Sequence, residues 1–330
     1  MILKTKTTVG EYNIVISRGV LNSLNEHLTL DRKVLIVTDS GVPENYAKTV
    51  AAQCKQGYIY TFLQGEESKN FDTYQAILTQ LIKNGFTRSD CVVAVGGGVT
   101  GDMAGFAAAS FMRGIDFYNI PTTVLSQVDS SIGGKVAIDF CGVKNIVGAF
   151  YPPKAVIIDA DTLKTLPQRQ INNGLCEALK MAATFDSNFF AHFENDELNI
   201  DYIIEQSLRL KRQVVEEDEK EQGVRRVLNF GHTIGHAIES VNLGNLYHGE
   251  CVGLGMLYLC SDEVKPRIKN ALQRLNLPIS CEIDADKIIE FMSHDKKKAG
   301  DSISVIWVEK IGSYEIKKMN LDELKEVILK

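Results

Sequence analysis

The chain of 330 residues is long enough for about two domains, each with its own hydrophobic core. Hydrophobic residues make up 45% and charged residues 24% of the sequence, which is typical of globular proteins and excludes a disordered or fibrous chain. The formal net charge of −6 argues against general nucleic-acid binding, because no overall positive field would attract a phosphate backbone.

The seven cysteines are widely spread and contain no Cys-x-x-Cys pair, as is typical of proteins in a reducing compartment. The N-terminal sequence lacks the apolar core of a secretory signal. The longest apolar runs fall far short of the roughly 20 residues that span a bilayer. We therefore expect a cytoplasmic protein without a membrane partner.

In the first half of the chain, short apolar runs alternate with segments of helical periodicity. Strands are predicted at Lys33–Thr38, Tyr58–Leu63, Cys91–Val95 and Phe117–Ile120. Helices are predicted at Pro43–Gln56, at Phe71–Asn84 and through Ala107–Phe111. The alternation predicts an open parallel sheet, which binds ligands beyond the carboxyl ends of its strands.

The second half is predicted to be mostly helical. Its helices are expected at Ile171–Phe185, Tyr202–Glu219, Arg226–Val241 and Glu250–Glu263, and a β-hairpin at Ile303–Val308 and Tyr314–Lys317. Two prolines, Pro152 and Pro153, interrupt regular structure between the halves. The predicted fold is therefore an α/β nucleotide-binding domain with a parallel sheet, residues 1–153, followed by a mainly α-helical domain, residues 154–330.

A glycine cluster, Gly96-Gly97-Gly98-Val99-Thr100-Gly101, follows a predicted strand and opens a helix with G-x-G-x-x-G spacing. Such glycines let the backbone approach a pyrophosphate, while the helix N-terminus supplies N–H groups and partial positive charge. The motif follows the third strand instead of the first, and Asp39 at the end of an earlier strand is the acid that could hold ribose hydroxyls. A tight turn without a ligand explains the motif equally well.

Three of the six histidines lie close together in the sequence: His232, His236 and His248. The i, i+4 spacing of His232 and His236 allows two imidazoles on one helical face to meet one ion. Glu177, which lies in an otherwise apolar helix, is a candidate third ligand. Polar groups satisfied at helix contacts are the commoner explanation for a single histidine, but three in one neighbourhood favour a metal. Three protein ligands with an open position suit catalytic zinc.

Cations in glycine-rich or histidine-adjacent segments of this acidic chain suggest a pocket for a small polyanion, such as a phosphorylated carboxylic acid. The candidates are Lys135, Lys144, Lys180, Lys211, Arg225, Lys296 and Lys297. A lysine run is also typical of a solvated face, and this explanation suffices for Lys298. The acidic run at residues 216–221 is a charged helix end or loop, in which only Glu221 is kept as a candidate.

Several of these segments, in the same order, resemble the 3-dehydroquinate synthase family of the shikimate pathway. The most specific is Pro-Thr-Thr-Val-Leu-Ser-Gln-Val-Asp-Ser-Ser-Ile-Gly-Gly-Lys at Pro121–Lys135. The others are Gly96–Asp102, Gly142–Asn145, Gly174–Lys180, Asn229–His236 and His248–Glu250. The resemblance extends over nearly the whole chain.

The resemblance implies a homodimer that needs NAD and a divalent metal, Zn²⁺ or Co²⁺, and a lyase that converts 3-deoxy-D-arabino-heptulosonate 7-phosphate to 3-dehydroquinate and phosphate. NAD would oxidise a ring carbon and later return the hydride, so that no net oxidation appears. The implied metal ligands are Glu177, His232 and His248. His236 would lie beside the metal as a catalytic and substrate-binding residue, in place of the ligand role that its spacing suggests.

The remaining roles also come from the resemblance. Residues implied in substrate binding or catalysis are Arg113, Asp129, Lys135, Asn145, Lys180, Lys211, Glu221, Arg225, Asn229 and one of Lys296 or Lys297. Residues implied in NAD binding are Asp39, Glu66, Lys69, Gly97, Gly98, Asp102, Thr122, Thr123, Asp129, Lys144 and Thr165.

The chain departs from the family pattern in two places. Val136 and Asp139 stand where many members have Thr and Asn, and Ala178-Leu179-Lys180-Met181 replaces the commoner Val-Ile-Lys-Tyr. These departures leave two alternatives open, a related sugar-phosphate cyclase and a metal-dependent polyol dehydrogenase. A third alternative is an NAD-binding regulator without catalytic activity. The candidate metal ligands and cations argue against it, because such a protein has no need of them.

Overall fold

The computed structural model describes residues 1–195, 197–242, 245–282, 284–299 and 302–329, without the side chains of 294–299. The chain forms two compact units, Met1–Pro167 and Gln168–Lys330. The division falls after Pro167, later than the predicted Pro153, because a strand at Ala155–Ile158 belongs to the first unit's sheet. Within the described residues, no helix is both long and apolar enough to cross a membrane.

The first unit contains nine strands and three α-helices among its described residues. The strands are β1 (Ile2–Thr7), β2 (Gly10–Ile16), β3 (Lys33–Asp39), β4 (Gln56–Phe62), β5 (Cys91–Gly96), β6 (Asp116–Pro121), β7 (Lys135–Phe140), β8 (Val143–Phe150) and β9 (Ala155–Ile158). The helices are α1 (Glu44–Ala51), α2 (Phe71–Lys83) and α3 (Gly98–Ser110).

Seven strands form one sheet in the order β1-β2-β9-β6-β5-β3-β4. All neighbours from β2 to β4 are parallel, and only β1 pairs antiparallel, with β2. The predicted parallel sheet is confirmed. Every residue of β5 is buried, as expected for a strand covered on both faces.

The strand order changes direction beside β3, since β4 lies on one side of it and β5 on the other. The carboxyl ends of β3 and β5 are therefore neighbours at a topological switch point, where ligands bind in open parallel sheets. Asp39 ends β3, and the glycine cluster follows β5 directly. The sheet thus brings together two features that are about sixty residues apart in the sequence.

Two hairpins of this unit were not predicted. Strands β1 and β2 pair from Ile2 with Val15 to Thr7 with Gly10, and β7 and β8 form a separate two-stranded sheet. Many residues of β8 are exposed, so it lacks the continuous apolar run that marks a buried strand.

The second unit is mostly helical, as predicted. Its described helices are α4 (Gln168–Phe185), α5 (Ser187–His192), α6 (Ile200–Glu217), α7 (His232–Val241), α8 (His248–Tyr258), α9 (Lys265–Arg274), α10 (Ala285–Ala299) and α11 (Leu321–Leu329). The predicted hairpin is confirmed as β10 (Ile303–Trp307) and β11 (Glu315–Met319), which pair antiparallel.

The continuous helix predicted over Arg226–Val241 is wrong. A short 3₁₀-helix spans Val224–Asn229. Gly231, with a φ of 78°, then interrupts the helical backbone, and α7 begins at His232. A left-handed conformation favours glycine and cannot continue a right-handed helix. The break makes His232 the first residue of α7.

Glycines let α7 and α8 approach closely. A Cβ on Gly255 would lie only 2.0 Å from the carbonyl oxygen of Gly231, and one on Gly235 would lie 2.9 Å from the carbonyl oxygen of Cys251. Neither distance accommodates a methyl group. The small residues therefore hold at close range the two helices that carry His232, His236 and His248.

Candidate active site

In the first unit, a small pocket open to solvent lies at the N-terminus of α3. Its lining includes Gly97, Gly98, Asp102, Ser130 and Lys135. No side chain caps the first turn of α3, so its N–H groups are available to an anion. A Cβ on Gly98 would lie 3.3 Å from the Ser130 hydroxyl, and glycine therefore keeps the approach to the helix open.

Asp39 contacts the glycine-rich turn directly. One carboxylate oxygen accepts a hydrogen bond of 2.7 Å from the Thr100 hydroxyl, and the other accepts one of 2.9 Å from the Gly41 backbone N–H. Asp39 is buried. In this arrangement the acid joins the end of β3 to the first turn of α3, and its oxygens keep further acceptor capacity for a ligand hydroxyl.

Asp102, Lys69 and Asn145 form a connected polar group beside the pocket. Lys69 Nζ lies 2.6 Å from Asp102 and also donates to the side chain of Asn145. Burial raises the pKa of Asp102 to about 6, although the Lys69 charge opposes this shift. The Asn145 backbone N–H donates to Asp139 at 2.7 Å, so the β7–β8 turn is attached to the same group.

The other predicted residues of this unit lie on different parts of it. Thr122 is buried and donates its backbone N–H to the Gly96 carbonyl. The Thr123 hydroxyl accepts a hydrogen bond from the Ser126 N–H. Asp129 lies in a π-helix at Ser126–Ser130. The exposed members are Glu66, Arg113, Lys135, Lys144 and Thr165.

In the second unit, Glu177 and Lys180 lie one turn apart on α4. Both are 1% exposed, and the Lys180 ammonium donates to Glu177 Oε2. Oε1 of Glu177 is buried and finds no hydrogen-bond partner among the described residues. Oε2 is therefore hydrogen-bonded to Lys180, and Oε1 is the carboxylate oxygen that remains for another partner.

Two of the three histidines predicted from the sequence, His232 and His248, approach Glu177 Oε1. His248 Nε2 lies 3.4 Å and His232 Nε2 lies 3.8 Å from that oxygen. One ring nitrogen from each of His232, His236 and His248 lies within 4.8 Å of the others. His236 is the exposed member of the three. The geometry thus brings together the histidine pair suggested by spacing and the three ligands implied by the resemblance.

Hydrogen bonds orient two of these imidazoles. Nδ1 of His232 is 3.2 Å from the Phe230 carbonyl oxygen, and Nδ1 of His248 is 3.0 Å from Glu239 Oε2. Since carbonyl and carboxylate oxygens only accept, each Nδ1 carries the proton. Both Nε2 atoms are then turned toward Glu177.

Burial and the neighbouring charges together set the pKa values of this cluster. Burial alone would raise the pKa of Glu177, but the Lys180 charge and the nearby histidines hold it well below the usual range. Burial, assisted by Lys180, lowers the pKa of His232 to about 3. For His248, burial lowers the pKa, but the carboxylates of Glu177 and Glu239 outweigh it and raise the pKa to about 9.

The start of α8 is fixed by contacts that the sequence did not reveal. The Gly249 N–H donates to Asn173 Oδ1 on α4 at 2.6 Å. Glu250 accepts from the Tyr247 N–H at 2.9 Å and from Arg169 at 2.7 and 2.8 Å. These bonds hold the backbone on both sides of His248.

Glu239 was not predicted as a site residue. It follows His232 by seven residues and His236 by three, on the same face of α7. This periodic spacing of a carboxylate with two histidines is the signal that could have found it. Asn173 carries a similar signal, four residues before Glu177 on α4.

Buried cations and a polar pair lie elsewhere in the second unit. Lys211 on α6 and Arg225 are both buried. Arg225 donates to the Glu219 carbonyl at 2.5 Å, and the Asn229 amide donates to Glu221 at 2.7 Å. The predicted Lys296 and Lys297 lie on α10, and their side chains are outside the described part of the chain.

Comparison with protein families gives two matches that adjoin along the chain. Residues 59–173 match "3-dehydroquinate synthase N-terminal", and residues 174–298 match "3-dehydroquinate synthase C-terminal". Curated relatives named 3-dehydroquinate synthase include one from Campylobacter concisus, 42% identical over 99% of this chain and 97% of its own, and one from Acetivibrio thermocellus, 44% identical over 84% of this chain and 83% of its own.

Solved structures resemble the whole chain. A 2-deoxy-scyllo-inosose synthase, solved with carbaglucose-6-phosphate, NAD⁺ and Co²⁺, is 27% identical with a TM-score of 0.86 and covers 99% of both chains. A 2-epi-5-epi-valiolone synthase from Streptomyces hygroscopicus subsp. jinggangensis is 24% identical, has a TM-score of 0.88 and covers 99% of this chain and 97% of its own, so it shows the same fold. On the two family matches and the curated relatives, the chain belongs to the 3-dehydroquinate synthase family.

Proposed function

We propose that this chain converts 3-deoxy-D-arabino-heptulosonate 7-phosphate to 3-dehydroquinate and inorganic phosphate. The observation that carries the proposal is the cluster of the buried Glu177 with the half-buried His232 and His248, found in a chain 42% identical over almost its full length to a relative named 3-dehydroquinate synthase. The reaction breaks a carbon–oxygen bond as phosphate leaves, which makes the enzyme a lyase.

The proposed metal ligands are Glu177 Oε1, His232 Nε2 and His248 Nε2. A buried carboxylate oxygen without a hydrogen-bond partner among the described residues supports this choice, since such an atom costs free energy unless a ligand satisfies it. Two imidazoles and one carboxylate suit catalytic Zn²⁺, and Co²⁺ accepts the same donors. His236 is exposed, and we propose that it lies beside the metal and contacts substrate.

The proposed nucleotide site is the pocket at the N-terminus of α3, which suits a pyrophosphate, with Asp39 at the ribose. The turn's glycines and the polar group of Lys69 and Asp102 support a bound NAD. When bound, the nucleotide and the metal would supply reversible oxidation of a substrate hydroxyl and polarisation of its oxygen.

Lys180, Lys211 and Arg225 are the proposed holders of the substrate's carboxylate and phosphate. All three are buried cations, and cations removed from water bind anionic oxygens more strongly than exposed ones. Arg225 is held in place by its bond to the Glu219 carbonyl and by its backbone N–H bond to Asp218. A fixed position of the substrate contributes directly to rate.

His236, Glu221 and Asn229 are proposed to hold and move protons at the substrate's oxygens. The Asn229 amide donates to Glu221 at 2.7 Å and so orients that carboxylate. His236 is exposed and lies with its ring 5.2 Å from that of His232 and 5.5 Å from that of His248. Glu221 is therefore oriented by a neighbour, and His236 is accessible to a ligand.

Four residues of the first unit, Arg113, Asp129, Lys135 and Asn145, stay as proposed substrate-binding or catalytic residues. Lys135 lines the pocket at α3, and Asn145 is joined to Lys69 beside it. We also propose a homodimer and a cytoplasmic location; the widely spread, unpaired cysteines support the latter.

A phosphate-release assay over a panel of sugar phosphates tests the function. Protein loaded with NAD⁺ and Zn²⁺ is expected to release phosphate from the heptulosonate phosphate and not from a hexose 6-phosphate, and NADH should not accumulate. Release from the hexose phosphate alone would favour another sugar-phosphate cyclase. Accumulating NADH without phosphate would favour a polyol dehydrogenase, and NAD binding without either product would favour a regulator.

A further inference from the structure

His248 lies between two carboxylates that approach opposite nitrogens of its ring. Glu239 Oε2 is 3.0 Å from Nδ1, and Glu177 Oε1 is 3.4 Å from Nε2. The side chains of His248 and Glu239 are 32% and 21% exposed, respectively, whereas Glu177 is 1% exposed. The two acids therefore have different surroundings and face different sides of the imidazole.

The backbone of His248 is fixed independently of Glu239. Asn173 holds the N–H of Gly249, and Glu250 together with Arg169 holds the residue before His248. These backbone bonds do not fix rotation of the imidazole about its side-chain bonds. The hydrogen bond between Nδ1 and Glu239 restrains this rotation.

The contact also determines which nitrogen of His248 carries the proton. A carboxylate only accepts hydrogen bonds, so Nδ1 carries a proton, and Nε2, which faces Glu177, is the nitrogen left to ligate a metal. His232 achieves the same orientation through the neutral Phe230 carbonyl. A carboxylate partner additionally makes the ligating nitrogen more basic than a carbonyl does.

We propose that Glu239 is a positioning residue that orients His248 for the metal and strengthens its ligation. This inference rests on the proposed metal site. Glu239 approaches Nδ1, on the side of the ring opposite Glu177, so it acts through His248 and is not a further ligand. Loss of such a partner typically costs 10–100-fold in metal affinity.

The test measures Zn²⁺ affinity of the metal-free full-length protein by competition with a chromophoric chelator. Glu239→Ala is expected to weaken affinity by about 10–100-fold. Glu239→Gln should lose less, because its amide oxygen accepts the same hydrogen bond without the charge. Glu205→Ala, which removes a carboxylate paired with Arg209 on α6, should bind zinc like the wild type.

A second readout separates positioning from general stability. Nitrogen NMR of the His248 ring in the zinc-loaded protein should report a protonated Nδ1 in the wild type and in Glu239→Gln, and a mixed or altered state in Glu239→Ala. Circular dichroism should show all variants folded. If Glu239→Ala does not fold, Glu239→Gln replaces it as the test variant, and its zinc affinity is expected to be weaker than that of the wild type.

Two results overturn the inference in distinguishable ways. Wild-type zinc affinity in both Glu239 variants, together with a large loss in Glu177→Ala, would leave the metal site standing and remove the role of Glu239. Wild-type affinity in Glu177→Ala as well would remove the proposed metal site and the inference together.

Discussion

Lys180 lies one helical turn after Glu177, and the two side chains form an ion pair that is 1% exposed on each side. Burial of two charges is costly unless each is compensated by the other. The pair therefore stabilises the carboxylate at the position where a metal would contact its second oxygen.

Lys180→Met should destabilise the metal-free protein by about 3–5 kcal/mol, because it leaves a buried carboxylate without its partner. Bound zinc supplies positive charge at the same carboxylate, so the loss should be smaller in zinc than in a chelator. Urea unfolding in the two conditions measures the difference. Lys48→Met, which breaks an exposed pair with Glu44, should have little effect in either. Equal losses of Lys180→Met in zinc and chelator would contradict the prediction.

His248→Ala should remove one of three proposed ligands, and the purified variant should retain little metal and little activity. Metal content by plasma mass spectrometry checks this directly. His27→Ala changes a histidine of the first unit that is far from the cluster in the sequence and should leave metal content unchanged. A His248→Ala protein with wild-type metal content would refute the ligand assignment.

Gly255→Ala should separate α7 from α8, because the new Cβ would lie 2.0 Å from the Gly231 carbonyl oxygen. We expect a loss of about 1–3 kcal/mol in unfolding free energy and a marked loss of bound zinc. Gly253→Ala, on the same helix, meets no backbone atom: its new Cβ would lie 2.8 Å from the end of the flexible Leu272 side chain and 3.2 Å from Cys176 Sγ, so this variant should retain the metal. Similar zinc binding in the two variants would show that the close approach of the helices is unnecessary.

The stability of the first unit should depend on pH through Asp102, whose pKa burial raises to about 6. Folding then favours the protonated acid, so its stabilising contribution is complete below pH 4 and is lost as the pH rises through 6. Relative to Asp102→Asn, the wild type should lose about 3 kcal/mol over this range.

Urea unfolding from pH 4 to pH 7, followed by circular dichroism, measures this difference. The single tryptophan, Trp307, lies in the second unit, so its fluorescence does not report on Asp102. A constant difference between wild type and variant across the range would contradict the raised pKa.

The sequence predicted the central strands well because each is a short, continuous apolar run bounded by polar residues. Cys91–Val95 was predicted and β5 is Cys91–Gly96. The β1–β2 and β7–β8 hairpins escaped because their strands are partly exposed, and half-buried edges carry a weaker pattern. The domain boundary was placed too early because prolines 152 and 153 precede β9 instead of ending the sheet.

Within the site, spacing alone indicated His232 with His236, since an i, i+4 pair is visible in one helix. Local periodicity could not show that His248, at the start of another helix, approaches Glu177 on a third. That proximity depends on the close approach of α8 to α4, where a Cβ on Gly249 would lie 2.1 Å from the Asn173 carbonyl oxygen. The family resemblance supplied the Glu177, His232 and His248 set that the geometry brings together, and it did not point to Glu239.

The most direct measurement follows product and cofactor together in one reaction of NAD- and zinc-loaded protein with 3-deoxy-D-arabino-heptulosonate 7-phosphate. Mass spectrometry should detect 3-dehydroquinate in equal amount to the phosphate released, with no lasting rise in NADH absorbance. Phosphate release without the carbocycle, or NADH formed in step with substrate consumption, would contradict the proposed reaction.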